Sequence, residues 1–174
     1  TEVFDRELVL HVGGKEVRLL NVGPAHTRGD VLVHIPADRT VFTGDILFIG
    51  GHPVAWDGPV SNWIRACDVI LGWDADIIVP GHGPITDRQG VRAVKHYFEY
   101  LTTEARRRFD AGMGEAEAAR DISMQDFRDW IDSERVIVNV ATLYREFRGG
   151  GAKANVADMH VQMARIRKAR AAGH

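Results

Sequence analysis

Cysteine is almost missing from this sequence. Cys67 is the single one in 174 residues, so no intramolecular disulfide and no thiolate-rich metal cluster can form. Any metal site has to be built from histidine and carboxylate side chains. No run of about 18 consecutive apolar residues occurs, which excludes a membrane-spanning helix and predicts a soluble chain without a membrane partner. An excess of one charge is lacking too: 22 Lys and Arg against 24 Asp and Glu leave a net charge of −2. That balance offers no electrostatic footprint for nucleic acid or anionic lipid. Low-complexity tracts are also absent. With 45% hydrophobic, 26% charged and 8% aromatic residues the composition is close to the globular average, and the length suits one domain with a real core. The sequence opens on Thr1 rather than Met and runs straight into strand-like residues with no signal peptide, so the expectation is an interior portion of a longer, cytoplasmic chain.

The first 50 residues are β-branched and punctuated by turn signals. Leu8 to Val12 alternates, Gly13-Gly14 turns, and Glu16 to Val22 alternates again, which reads as a hairpin. Val31 to Ile35, the turn Pro36-Ala37-Asp38-Arg39 and Thr40 to Thr43 extend it to a four-stranded meander. After Gly50-Gly51 the period changes. Ser61 is placed to cap a helix with Trp63, Ile64, Ala66, Cys67, Ile70 and Leu71 at helical spacing. A short strand, Ala75 to Val79, follows, and Asp87 caps a long helix reaching about Ala111, striped by Val91, Val94, Tyr97, Phe98, Leu101 and Ala105. The remainder reads as helices over Ala116 to Ile122, Met124 to Ile131, Ser133 to Phe147 and Ala154 to Ala172, with Gly149-Gly150-Gly151 as a hinge. The basic residues Arg165, Arg167, Lys168 and Arg170 near the end suit a solvated helix C-terminus.

Three residues share one setting, a turn directly after a strand. They are His26 in Pro24-Ala25-His26-Thr27-Arg28-Gly29-Asp30, Asp45 in Phe42-Thr43-Gly44-Asp45, and His82 in Val79-Pro80-Gly81-His82-Gly83-Pro84. Strand-end loops gather at one rim of a sheet, so such side chains can converge on one point. Neutral imidazole and carboxylate form a ligand set for a divalent ion, and a carboxylate can bridge two. Taken singly, each also reads as an ordinary loop residue, Thr-Gly-Asp being a common turn.

These runs, in this order and at these junctions, resemble the later metal-binding motifs of the metallo-β-lactamase-fold hydrolases, in their glyoxalase-II-like branch, over about residues 6 to 90. The resemblance implies that His26 completes the first metal's histidine set, Asp45 bridges two metals and His82 binds the second. Zinc is the first expectation for the ion, with iron or manganese as alternatives. The implied reaction is hydrolysis of an ester, thioester or related small-molecule substrate by metal-bound hydroxide. Asp45 stands where common zinc β-lactamases carry Cys, which disfavours antibiotic hydrolysis.

One family feature is missing. The His-x-His-x-Asp-His motif that supplies the other four ligands does not occur, and no two of the eight His are two positions apart. The resemblance therefore implies an α+β fold that is the C-terminal half of an αββα sandwich (residues 1–112) followed by a helical extension (residues 113–174). Two ions are expected in the intact enzyme, and one or none in this chain, held by His26, Asp45 and His82. Little activity is expected without the missing half. A half-sandwich leaves an apolar sheet face exposed, so the expected partner is the N-terminal half or a second copy of the chain. A non-catalytic oligomerisation or partner-binding module is the alternative, and a nucleic-acid-processing enzyme of the same fold lacks the basic surface it needs. Around the site, Asp30 is placed to accept a hydrogen bond from a ligand imidazole, and His52, Trp56 and Asp57 to touch substrate. Cys67, Tyr97, Phe98 and Tyr100 read as packing residues.

Overall fold

The computed structural model describes residues 3–172, with the side chains of residues 169–172 excluded. Five strands, β1 (Glu7–Val12), β2 (Lys15–Asn21), β3 (Val31–Ile35), β4 (Thr40–Phe48) and β5 (Ile77–His82), form one sheet in that order. The first four pair antiparallel, as the turn signals predict, and β5 pairs parallel to β4. A parallel neighbour needs a crossover connection, supplied here by α1 (Val60–Gly72). The fold is α+β.

β4 runs further than its alternation suggests. The strand continues through Gly44-Asp45 to Phe48, with register shifts against β5 on either side of Gly44. Asp45 thus sits inside an irregular strand rather than in a turn after one, and His82 is the last residue of β5. Gly44, at φ 50°, allows the irregularity without side-chain strain.

Among the described residues, helices cover one sheet face. α2 (Arg88–Asp110) begins at Asp87, whose side chain accepts from the Gln89 N–H. Its stripe Val91, Val94, Tyr97, Phe98, Leu101 and Ala105 is fully buried, and each Phe or Leu so buried contributes about 1.5–3 kcal/mol. α1 packs beside it, and its Trp63 Nε1 donates to the Ile46 carbonyl at 2.7 Å. Ser61 does not cap α1: it lies within the helix, and Pro59 takes the cap position, where its fixed φ suits a helix entry. α3 (Glu115–Asp121), α4 (Val136–Phe147) and α5 (Val156–Ala172) follow. The helix expected over Met124 to Ile131 is a single 3-10 turn, Gln125–Phe127. Phe127 and Trp130 stack around Tyr97 there, and aromatic packing replaces helical hydrogen bonding. Nor is the basic end of α5 simply solvated, because Arg167 pairs with Glu134 and, at 3.1 Å, with Asp132. The Arg170 side chain lies outside the described residues.

The opposite face stays open. Cross-strand register places Leu8, Leu19, Val33, Phe42 and Val79 in one row across all five strands. No helix among the described residues packs on that row, and Phe42 is 42% exposed.

Candidate functional site

Residues 26, 45 and 82 are far apart in sequence and meet at the β4–β5 end of the sheet. Asp45 stands between the two imidazoles, with Oδ2 3.5 Å from His26 Nε2 and Oδ1 3.1 Å from His82 Nε2. The closeness depends on Gly81: a Cβ there would lie 2.4 Å from Asp45 Oδ1 and 2.6 Å from the Gly44 carbonyl carbon. Gly83 is similarly constrained, since its φ is 88° and a Cβ would lie 2.2 Å from the Ile49 oxygen.

The imidazoles are oriented by different means. His26 Nδ1 lies 2.8 Å from the Val54 carbonyl oxygen. A carbonyl can only accept, so Nδ1 carries a proton, and Nε2 is the nitrogen that faces Asp45. His82 has its ring stacked on Phe48, 4.2 Å between centroids, and Phe48 lies 5.8 Å from the His26 ring. Phe48 in turn sits beneath the Arg135 guanidinium at 5.4 Å. His26 is recessed, its side chain 14% exposed, whereas Asp45 and His82 open to solvent at 40% and 54%.

This geometry differs from a single three-ligand site. Among the described residues no group of three His, Cys, Asp or Glu side chains is arranged to hold one ion. Each Asp45 oxygen faces a different imidazole.

The other expected residues part ways. Asp30 does not reach His26: its Oδ2 accepts from the Thr27 N–H at 2.9 Å and its Oδ1 from the Thr27 hydroxyl at 2.8 Å. It closes its own turn, and the Val54 carbonyl takes the role assigned to it. His52 is fully buried, 3.2 Å from the Tyr97 hydroxyl and edge-on to Trp130, which leaves no surface for a substrate. Asp57 is engaged by Lys153 and, at 3.8 Å, by Arg28. Trp56 does line a cavity of about 620 Å³ with Val54, Arg135 and His160, and its ring stacks on His160. Cys67 is fully buried and its thiol is pushed up to about 12 by burial, so it is no nucleophile. Sequence reasoning missed the Val54 carbonyl and the α4 side chains that hold its loop; Asn139, alone among apolar neighbours in Val136-Ile137-Val138-Asn139-Val140-Ala141, was a legible signal.

A match to the metallo-beta-lactamase superfamily spans residues 1–82 and takes in all three residues. Over this segment the sequence is similar to that superfamily. The α subunit of a 2,4-dinitroanisole O-demethylase from Nocardioides sp. (strain JS1661) is 32% identical over 76 residues, 43% of this chain and 23% of that protein. Solved structures are similar over more of the chain. A stereoselective inverting sec-alkylsulfatase from Pseudomonas sp. superposes with a TM-score of 0.66 at 16% identity, over 90% of this chain and 28% of its own. A metallo-beta-lactamase family protein from Thermus thermophilus gives 0.64 at 17%, over 87% of this chain and 51% of its own. At these identities the likeness is one of fold, and it extends past residue 82 into the helices. The chain spans about a quarter of the curated relative it matches and between a quarter and a half of these two structures.

Proposed function

We propose that this chain is the C-terminal portion of a metal-dependent hydrolase of the glyoxalase-II-like branch, acting on an ester, thioester or related small molecule. The observation that carries the reading is Asp45 with one carboxylate oxygen turned to each imidazole. His26 would hold one divalent ion, His82 a second, and Asp45 both; zinc is the first candidate, with iron or manganese alternatives for such ligands. An ion so held supplies Lewis acidity and water acidified to near neutral pH. The chain's own part is to fix the His26 tautomer through Val54, to hold β5 against Asp45 through Gly81, and to shield the recessed imidazole with Phe48. Three ligands do not saturate two ions, so the chain by itself is assigned little activity. A buried, unpaired Cys67 accords with a cytoplasmic setting.

The open row Leu8, Leu19, Val33, Phe42, Val79 supports a covering partner, either a preceding half of the same fold or a second copy of the chain. It also favours the second reading, a non-catalytic partner-binding module. Zinc uptake by equilibrium dialysis separates the two. The hydrolase reading expects uptake that falls at least tenfold in Asp45→Asn and in His82→Ala. Uptake that is insensitive to both substitutions leaves the binding module.

A further inference from the structure

The loop that orients His26 is itself held by a helix outside the family match. From Arg135 onward, successive side chains along one side of α4 bond the backbone of residues 52–60. Arg135 Nη1 donates to the His52 carbonyl at 2.9 Å, and Asn139 Nδ2 donates to the Pro53 carbonyl at 2.8 Å. Asn139 Oδ1 accepts from the Ala55 N–H at 2.8 Å, and the Thr142 hydroxyl donates to the Ala55 carbonyl at 2.7 Å. Arg145 Nη2 donates to the Asp57 carbonyl at 2.6 Å, and Glu146 accepts from the Val60 N–H at 2.8 Å. Positions 135, 139, 142 and 146 repeat at the three- and four-residue spacing of one helix face, matched to an extended segment.

Asn139 occupies the central place. Its amide holds the peptide groups on both sides of Val54, accepting from residue 55 and donating to residue 53, and its Nδ2 also reaches the Tyr97 hydroxyl at 3.0 Å. The side chain is fully buried, so water cannot substitute for these bonds. With both flanking peptides fixed, the Val54 carbonyl has one direction, toward His26 Nδ1. We infer that Asn139, through Val54, is a positioning residue for His26: the helical segment beyond residue 82 sets which imidazole nitrogen faces Asp45. The functional weight of this inference rests on the ligand role proposed for His26, but its test does not.

The test is the imidazole ¹⁵N spectrum of the metal-free chain at pH 8, where Nδ1–H and Nε2–H tautomers are distinguished for His26. The wild-type chain is expected to hold the Nδ1–H form. Asn139→Ala shifts the tautomer ratio roughly two- to tenfold toward Nε2–H, the range set by one hydrogen bond. Thr142→Val, isosteric and milder, shifts it the same way by a smaller factor. Arg145→Ala breaks the same row of bonds three residues beyond Val54, at Asp57, and leaves the His26 ratio unchanged. The inference is overturned if the ratio stays at the wild-type value in both Asn139→Ala and Thr142→Val, or if Arg145→Ala moves it equally. Should Asn139→Ala fail to fold, Thr142→Val against Arg145→Ala decides alone. A tautomer shift alongside zinc uptake that ignores Asp45 and His82 retains the positioning role and removes the hydrolase reading.

Discussion

The Oδ1 atom of Asp45 lies 3.1 Å from Nε2 of His82, and the contact exists because β5 passes β4 at Gly81, where no side chain intervenes. A Cβ at residue 81 would come within 2.4 Å of that oxygen and 2.6 Å of the Gly44 backbone, too close for either strand to accommodate without moving. Gly81→Ala is therefore expected to destabilise the chain by about 1–3 kcal/mol in urea titration, the usual range for overpacking, and to lower zinc uptake with it. Gly72→Ala, where a Cβ meets nothing within 4 Å, is the control and is expected to be neutral or slightly stabilising. Equal effects at the two positions would refute the close-packing argument.

His34 sets a pH dependence of stability. Its ring stacks on Trp73 at 4.6 Å, it is 6% exposed, and neither ring nitrogen has a hydrogen-bond partner. Burial, and next the Arg18 guanidinium, hold its pKa below the ordinary 6.5, against an upward pull from Glu16. The unfolded chain therefore takes up this proton first as pH falls. The stability linked to His34 is complete above pH 6.5 and is lost as pH drops through the lower folded value. His34→Phe keeps a ring against Trp73 and removes the proton. The melting-temperature difference between wild type and variant should be constant from pH 8 to 7 and move in the variant's favour between pH 6.5 and 5. Parallel curves across that whole range would show that His34 does not carry the effect.

The open sheet face should report on its own exposure. Phe42 lies between Val33 and Val79 in the row that begins at Leu8 and is 42% exposed. Contiguous exposed apolar surface drives association. Sedimentation velocity on the chain is expected to show self-association that Phe42→Lys abolishes, with fluorescence of a hydrophobic dye falling in parallel. A wild-type chain that is monomeric and binds no dye would mean that the face is satisfied as it stands.

α5 is tethered by a charge contact as well as by the buried Met159. Arg167 pairs with Asp132 and with the buried Glu134, while its own side chain is 67% exposed, so solvent screening keeps the pair's contribution modest. Arg167→Ala is expected to cost about 1 kcal/mol or less in global stability and to speed amide hydrogen exchange across residues 156–168 without changing that of α2. Unchanged exchange in α5 would assign its docking to Met159 and Trp56 instead.

Much of the fold was legible because it is local. Period-two alternation in Leu8 to Val12 and Glu16 to Val22, with glycines between them, leaves a hairpin as the natural reading, and the stripe Val91 to Ala105 after the Asp87 cap leaves a helix. The residues His26, Asp45 and His82 were legible as chemistry, since imidazole and carboxylate beside glycines at strand ends suit metal ions. What failed also failed for a physical reason. Asp30 and His52 carry the right atoms, but a side chain's partner depends on which backbone folds against it: Thr27 claimed one, and Tyr97 and Trp130 enclosed the other. Met124 to Ile131 has helical spacing, yet its aromatics gain more from packing around Tyr97 than from continuing a helix.

The amino-acid sequence by itself therefore determined the strands, the long helices and the kinds of ligand atom available, because these follow from near-neighbour periodicity and side-chain chemistry. Only the tertiary structure decided that Asp45 divides its two oxygens between two imidazoles, that α4 grips the backbone around Val54, and that one face of the sheet is left without a covering layer. Those outcomes depend on contacts between segments 19 to 88 residues apart, and alternation along a strand tells which residues share a face without telling what, if anything, lies against it.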